Sequence, residues 1–364
     1  GHGHGHGHDR GHGHHRPVGA VYTQTNTVPN YVVAYDRWRD GRLTLQGRYA
    51  TGGDGAPAPI GVPILNSQGA VVLSEDGRVL FAVNAGSNTV SSFRVTPRGL
   101  RLADVKPSGG EQPLSVSSVG RLVYVANELS GDILGYRFNA SGRMRLIRGS
   151  HQQLESGAIP GNIAQIGISP HGDLLVVAER VTSTLSVFPL NRRGRAGPPT
   201  AYPSTGNWPF GFAFDRYGRL VVSNAEAENG FASTVSTYAT GDGSLVPLDI
   251  VPTGTSNACW IVITNDTRHT YTTGPLEHSV GHLSIGRRGR LTVEGVDFTP
   301  HFALDEALSR DSRYLYVLNP EVDVATLGFG DGHVSLFEVH RDGSTTLIET
   351  FDGVPGSSSG LAAW

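Results

Sequence analysis

The chain has one cysteine, one methionine and, among 29 basic residues, a single lysine, Lys106. A lone cysteine, Cys259, excludes an internal disulfide, so pairing says nothing about the redox compartment. Its neighbours Ala258 and Trp260 suggest a packed thiol rather than a nucleophile. No apolar run approaches the roughly 18 residues that a membrane helix needs, so no membrane span is expected. The formal net charge of −3 gives no reason to expect nucleic acid as a partner. A Ser-His-Asp signature, a phosphate loop and Cys/His zinc spacing are all missing. The Asp-Gly pairs lack the alternating acids of a calcium loop. Apolar residues never recur at helical spacing.

Glycine is abundant, 49 of 364 residues, and its placement is regular. Two kinds of turn alternate about every fifty residues. The first centres on Gly77, Gly120, Gly172 and Gly218, then on Thr267 and Ser312 where glycine is lost. The second centres on Gly41, Gly99, Gly142, Gly194, Gly243, Gly289 and Gly343. Between them run short apolar stretches, such as Leu122-Val123-Tyr124-Val125-Ala126-Asn127 and Tyr314-Leu315-Tyr316-Val317-Leu318-Asn319. Stretches of three to six residues bounded by Asp-Gly turns read as antiparallel hairpins. Each repeat is expected to hold four strands, A to D, with the first turn between A and B and the second between C and D. Four-stranded repeats at this period predict an all-β seven-bladed propeller over residues 18–364, preceded by a Gly/His-rich tail, residues 1–17.

Seven turns of one kind against six of the other predict how the ring closes. The first repeat starts at its B strand, near Ala20-Val21-Tyr22-Thr23, and the chain ends in an unpaired A strand, Gly360-Leu361-Ala362-Ala363-Trp364. The C-terminal strand is therefore expected innermost in the blade formed by residues 20 to 50, which removes an open edge.

The turn Leu73-Ser74-Glu75-Asp76-Gly77-Arg78, the following Phe81-Ala82-Val83-Asn84-Ala85-Gly86-Ser87-Asn88 and the repeated B strands resemble the lactonase-type seven-bladed propellers. That group includes bacterial 6-phosphogluconolactonase and fungal carboxymuconate cyclase. The resemblance covers roughly residues 18 to 364 and implies the fold. It carries over no catalytic residue, because the shared positions are those of turns and core.

Ligands of propellers usually sit where the B–C and D–A loops surround the channel mouth. The residues entering the A strands there include Asn66, Gln68, Gln112, Asn162, Gln165, Trp208, Asn257, Trp260, Asp305 and Glu306, a polar ring with aromatic walls that suits a small molecule. The same amides could instead satisfy backbone groups of crowded inner strands. His301, four residues before Asp305 and Glu306, is the candidate base for opening or closing a lactone.

The tail carries seven of the fifteen histidines, His2, His4, His6, His8, His12, His14 and His15. Without apolar residues it cannot fold alone, and alternating Gly and His suits a Cu(II), Ni(II) or Zn(II) ion. No cofactor is required. A Gly at position 1 followed by such a tail fits a mature terminus after export, so the protein is expected to be secreted or extracytoplasmic.

Sorting charges by loop puts most arginines at the A–B and C–D turns. Acids including Glu128, Asp132, Glu179, Glu226, Asp305, Glu306 and Asp323 fall on the opposite loops. A bipolar disc can stack head to tail as a homo-oligomer, and a stack that does not close is a filament. Two functions follow. One is a secreted binding or assembly scaffold whose tail holds metal or a neighbouring subunit. The alternative is a lactonase or cycloisomerase acting on a small lactone or carboxylate at the channel mouth.

Overall fold

A computed structural model describes residues 16–56, 65–323 and 328–364. The strands form seven antiparallel blades and a separate two-stranded hairpin, Val322–Asp323 with Gly328–Phe329, among the described residues. No helix among them is long and apolar enough to cross a membrane. The ring closes as expected. Ser359–Ala363 pairs with Gly19–Gln24, which pairs with Tyr31–Arg37 and then Leu43–Ala50, completing blade 1 from both termini.

The A to D strands of blade 2 are Val71–Leu73, Val79–Asn84, Thr89–Thr96 and Gly99–Pro107. Blade 3 runs Pro113–Val119, Leu122–Asn127 and Asp132–Phe138, with an outer edge divided between Met144–Leu146 and Gln152–Gln153. Blade 4 is Ile163–Ile168, Leu174–Glu179, Thr184–Pro189 and Thr200–Pro203. Blade 5 is Pro209–Phe214, Leu220–Asn224, Ala232–Ala239 and Val246–Ser256. Blade 6 is Trp260–Ile263, His269–Gly274, Ser279–Ile285 and Leu291–Phe298. Blade 7 is Glu306–Leu308, Tyr314–Asn319, Asp331–Val339 and Thr345–Pro355.

Strand burial follows distance from the rim. Every residue of Val79–Asn84, Leu122–Asn127 and Leu174–Glu179 is buried, because a B strand is covered by neighbouring blades on both faces. Their continuous apolar runs are the expected signature. Outer strands such as Leu291–Phe298 are largely exposed.

Blades are tied by a recurring contact that the repeat pattern did not announce. The phenol of Tyr124 donates to the Gly194 carbonyl at 2.5 Å, Tyr271 to Gly343 at 2.5 Å and Tyr316 to Gly41 at 2.6 Å. In each pair a B-strand side chain holds the C–D turn of the next blade. At Gly41, Gly194 and Gly343 a Cβ would also clash with a side chain of the preceding blade. A Cβ on Gly343 would lie 2.2 Å from the His269 ring, and its φ of +83° is already unfavourable for other residues. Among the A–B turns, a Cβ on Gly120 or Gly172 would meet nothing within 4 Å, whereas one on Gly77 would lie 2.7 Å from the Trp364 ring. The two A–B turns without glycine, at Thr267 and Ser312, keep positive φ and bear only that local strain.

Candidate active site

The inner strands surround a central cavity of about 650 Å³. It runs from buried Asp305 and Glu306 outward to exposed Glu75, Asn265 and Arg310 at the A–B turns. At that rim the Arg310 guanidinium lies over the Trp364 ring, 4.3 Å from its centroid.

Among the described residues, several of the residues expected to ring the D–A end of the channel bond across it to backbone groups. Residues 65–69 cross it. Gln68 donates to the Ile261 carbonyl at 2.9 Å and accepts from the Ile261 amide at 3.0 Å, spanning blades 2 and 6. The Trp260 indole donates to Ser67 O at 2.9 Å. Gln165 makes the same two-way pairing with Phe212, at 2.9 and 2.7 Å. Buried Arg180, unforeseen from the sequence, reaches three backbone carbonyls, those of Gly161, Asn66 and Ile163, and lies over the Phe210 ring. Burial without an ion pair lowers its pKa to about 10. The signal for it lay in Glu179-Arg180, where most other B strands end in Asn.

The remaining mouth residues are set by backbone conformation and neighbouring acids. Asn66, Gln112, Trp208 and Asn257 all have φ between 30° and 57°, so four D–A loops turn through the left-handed region at the same point. Asn is one of the few non-glycine residues that adopts it readily. Gln112 donates to Glu128 at 2.8 Å, and Asn162 donates to Glu179 at 3.0 Å. Gln68, Gln165, Asp305 and Glu306 line the main cavity, while Asn66 and Trp260 line a space of about 10 Å³ that Asp305 also borders. Cys259 is packed as expected, and burial pushes its thiol up to about 12.

His301 does not join Asp305 and Glu306. Its ring stacks on His333 at 3.9 Å and lies 3.9 Å from Glu321, because the loop carries it outward over the B and C strands of blade 7. Burial and the neighbouring His333 hold it below the ordinary imidazole value.

The acid pair is unlike every other buried carboxyl described here. Asp305 Oδ1 accepts from the Glu306 amide at 2.9 Å. Asp305 Oδ2 and both carboxyl oxygens of Glu306 are buried without a hydrogen-bond partner. Burial raises both acids well above the ordinary range, and for Glu306 the neighbouring Asp305 adds to it. The Ser118 hydroxyl, on another wall of the channel, is also buried without a partner. By contrast Glu128, Asp132, Glu179 and Glu226 are buried and bonded to neighbouring groups. These four and the pair are six acids that do not stand on the surface, so the acidic face expected for stacking is much reduced. The tail histidines His2 to His15 and the side chain of Asp323 lie outside the described residues.

Comparison with known proteins agrees with this architecture. The chain is 26% identical over 143 residues to a 6-phosphogluconolactonase of Pectobacterium atrosepticum, covering 34% of this chain and 41% of the relative. It is 24% identical over 190 residues to that of Yersinia enterocolitica, covering 48% and 54%. The chain thus spans about half or less of the length of these relatives. Among solved structures it is similar to the periplasmic gluconolactonase of Pseudomonas aeruginosa, at TM-score 0.69 and 17% identity over 95% of this chain and 98% of that one. A functionally unknown protein of Desulfotomaculum acetoxidans matches at TM-score 0.71 and 13% identity, covering 95% and 98%. At such identities the likeness is one of fold. The family model for the seven-bladed lactonase propeller matches residues 25–153 and 114–247, together more than half of the sequence, and with seven closed blades around one channel the chain belongs to that family.

Proposed function

We propose that the protein hydrolyses a small lactone in the central channel, with Glu306 as the acid–base group and Asp305 beside it. The observation that carries this reading is the orphaned acid pair at the floor of a cavity of about 650 Å³. That volume falls within the roughly 300–1,000 Å³ usual for small-molecule sites. A carboxyl raised toward neutrality is suited to take and return a proton at working pH. Ionised Glu306 accepts a proton from water as the water oxygen attacks the lactone carbonyl. The developing oxyanion needs a donor, and the unpartnered Ser118 hydroxyl is one available from the channel wall. As the intermediate collapses, the ring C–O bond breaks and the proton on Glu306 passes to the departing ring oxygen. The product is a hydroxy acid, and Glu306 is again ionised.

The test is hydrolysis of glucono-δ-lactone and its 6-phosphate, followed by acid release and NMR on the full chain. Activity should fall about 10²–10⁴-fold in Glu306→Gln, the range typical of a lost acid–base group. Undiminished turnover in the Asp305→Asn/Glu306→Gln double variant, or no turnover of either lactone by the parent, would overturn the assignment.

The tail is proposed separately as a metal-chelating segment, supported by the Gly/His alternation alone. An extracytoplasmic location is likewise proposed, supported by the periplasmic relative in Pseudomonas aeruginosa. Cell fractionation tests it, and recovery only in the cytosol would overturn it.

A further inference from the structure

Three side chains far apart in sequence meet at the B–C end of blade 7, away from the channel. His301 lies in the loop that enters the blade, Glu321 follows strand Tyr314–Asn319, and His333 sits near the start of strand Asp331–Val339, opposite Asn319. One ligand atom from each lies within 4.8 Å of the others. The His333 side chain is 15% exposed, that of His301 33% and that of Glu321 45%. A fourth residue completes the arrangement. Asp352, on outer strand Thr345–Pro355, is hydrogen-bonded to His333 Nδ1 at 2.8 Å. A proton held on Nδ1 by that carboxylate leaves Nε2 with its lone pair outward, the way metal-bound imidazoles are oriented.

We propose that His301, Glu321 and His333 form a binding site for one divalent transition cation, with Asp352 as a positioning residue. Two imidazoles and one carboxylate are a donor set suited to Zn(II), and three protein ligands leave a fourth position for water. Stacked rings 3.9 Å apart have nearly parallel lone pairs, so the rings splay when they share an ion. Bonds of about 2.0–2.1 Å bring tetrahedral ligand atoms to roughly 3.3 Å from one another. His301 is the ligand placed to supply that movement, since it lies on the loop between strands Leu291–Phe298 and Glu306–Leu308. The site is separate from the acid pair and does not depend on the lactone reading. Its residues are not those of the tail, whose histidines would compete in any titration.

The experiment therefore uses the full-length chain with the seven tail histidines replaced by serine. Zn(II) is titrated by calorimetry and Co(II) by visible absorption. One equivalent should bind, with the intense bands of four-coordinate Co(II), and Zn(II) should raise Tm. His301→Ala and His333→Gln should each weaken Zn(II) binding at least tenfold and abolish the Tm shift, with unchanged circular dichroism confirming the fold. Asp352→Asn should weaken it about 10- to 100-fold, the range for a lost outer carboxylate, while one equivalent still binds. No binding at micromolar Zn(II), or binding unaltered in a His301→Ala/His333→Gln double variant, overturns the proposal.

Discussion

Glu179 and Glu306 are equally hidden, at 1% and 3% exposure, yet their surroundings are opposite. Glu179 ends strand B of blade 4 and accepts from the hydroxyls of Ser156 and Ser186 and from the Asn162 amide. Glu306 begins strand A of blade 7 and accepts from nothing. Burial alone therefore says little about a carboxyl. The donors around it decide whether it stabilises the fold or is held at a cost, as reactive groups often are. In blade 4 the D–A loop folds its donors over the acid. In blade 7 none of the described groups is placed to donate to the carboxyl of Glu306.

The largest expected effect breaks the satisfied side. Glu179→Ala strands the Asn162 amide and two hydroxyls, and should lower unfolding free energy by about 3 kcal/mol in urea titration, the scale of lost charge-assisted bonds and their orphaned partners. A change under about 1 kcal/mol would mean that the network is not what holds blade 4.

Glu306→Gln should act in the other direction. Folding raises the pKa of Glu306 above its ordinary 4.5, so between those values the folded state binds more protons and wild-type stability falls as pH rises. The variant lacks this penalty. It should be more stable than wild type at pH 8, with the difference shrinking toward pH 4. Denaturation at several pH values checks this, and equal slopes for the two proteins would sink it. Greater stability with lost turnover would be the trade expected of a functional site. Asp305→Asn should show the same sign with a smaller gain, because one of its oxygens already accepts the Glu306 amide.

The smallest effect has the opposite pH sense. His282 is buried, bonded to His269 Nδ1 at 2.9 Å and stacked on Tyr271. Burial, then His269, depresses its pKa below the ordinary 6.5, so the unfolded chain binds more protons as pH falls and stability is lost below about 6.5. Replacing His282 with Gln should flatten that slope below about pH 6.5. An unchanged slope would place the acid sensitivity elsewhere.

How much of this was legible from sequence differs by feature. The blades, their strand order and the ring closure follow from turn spacing, since hairpin turns and alternating apolar runs are local and repeat. The choice of channel end did not follow. Gln68 and Gln165 suit a ligand and a backbone carbonyl equally well, and only the approach of Ile261 and Phe212 decides which they meet. His301 was grouped with Asp305 by a separation of four residues, but the loop turns it toward Glu321 and His333 instead. Sequence position places the acids of the B–C loops at the surface, whereas Glu128, Asp132, Glu179 and Glu226 are buried in hydrogen-bond networks.

The sequence by itself determined a seven-bladed ring closed by its own last strand, because glycine turns and β-patterned runs specify hairpins through interactions within a few residues. The tertiary structure alone decided which end of the channel opens, which carboxyls go without donors and which histidines meet. Those properties depend on groups tens to hundreds of residues apart, whose distances are set only when the blades pack.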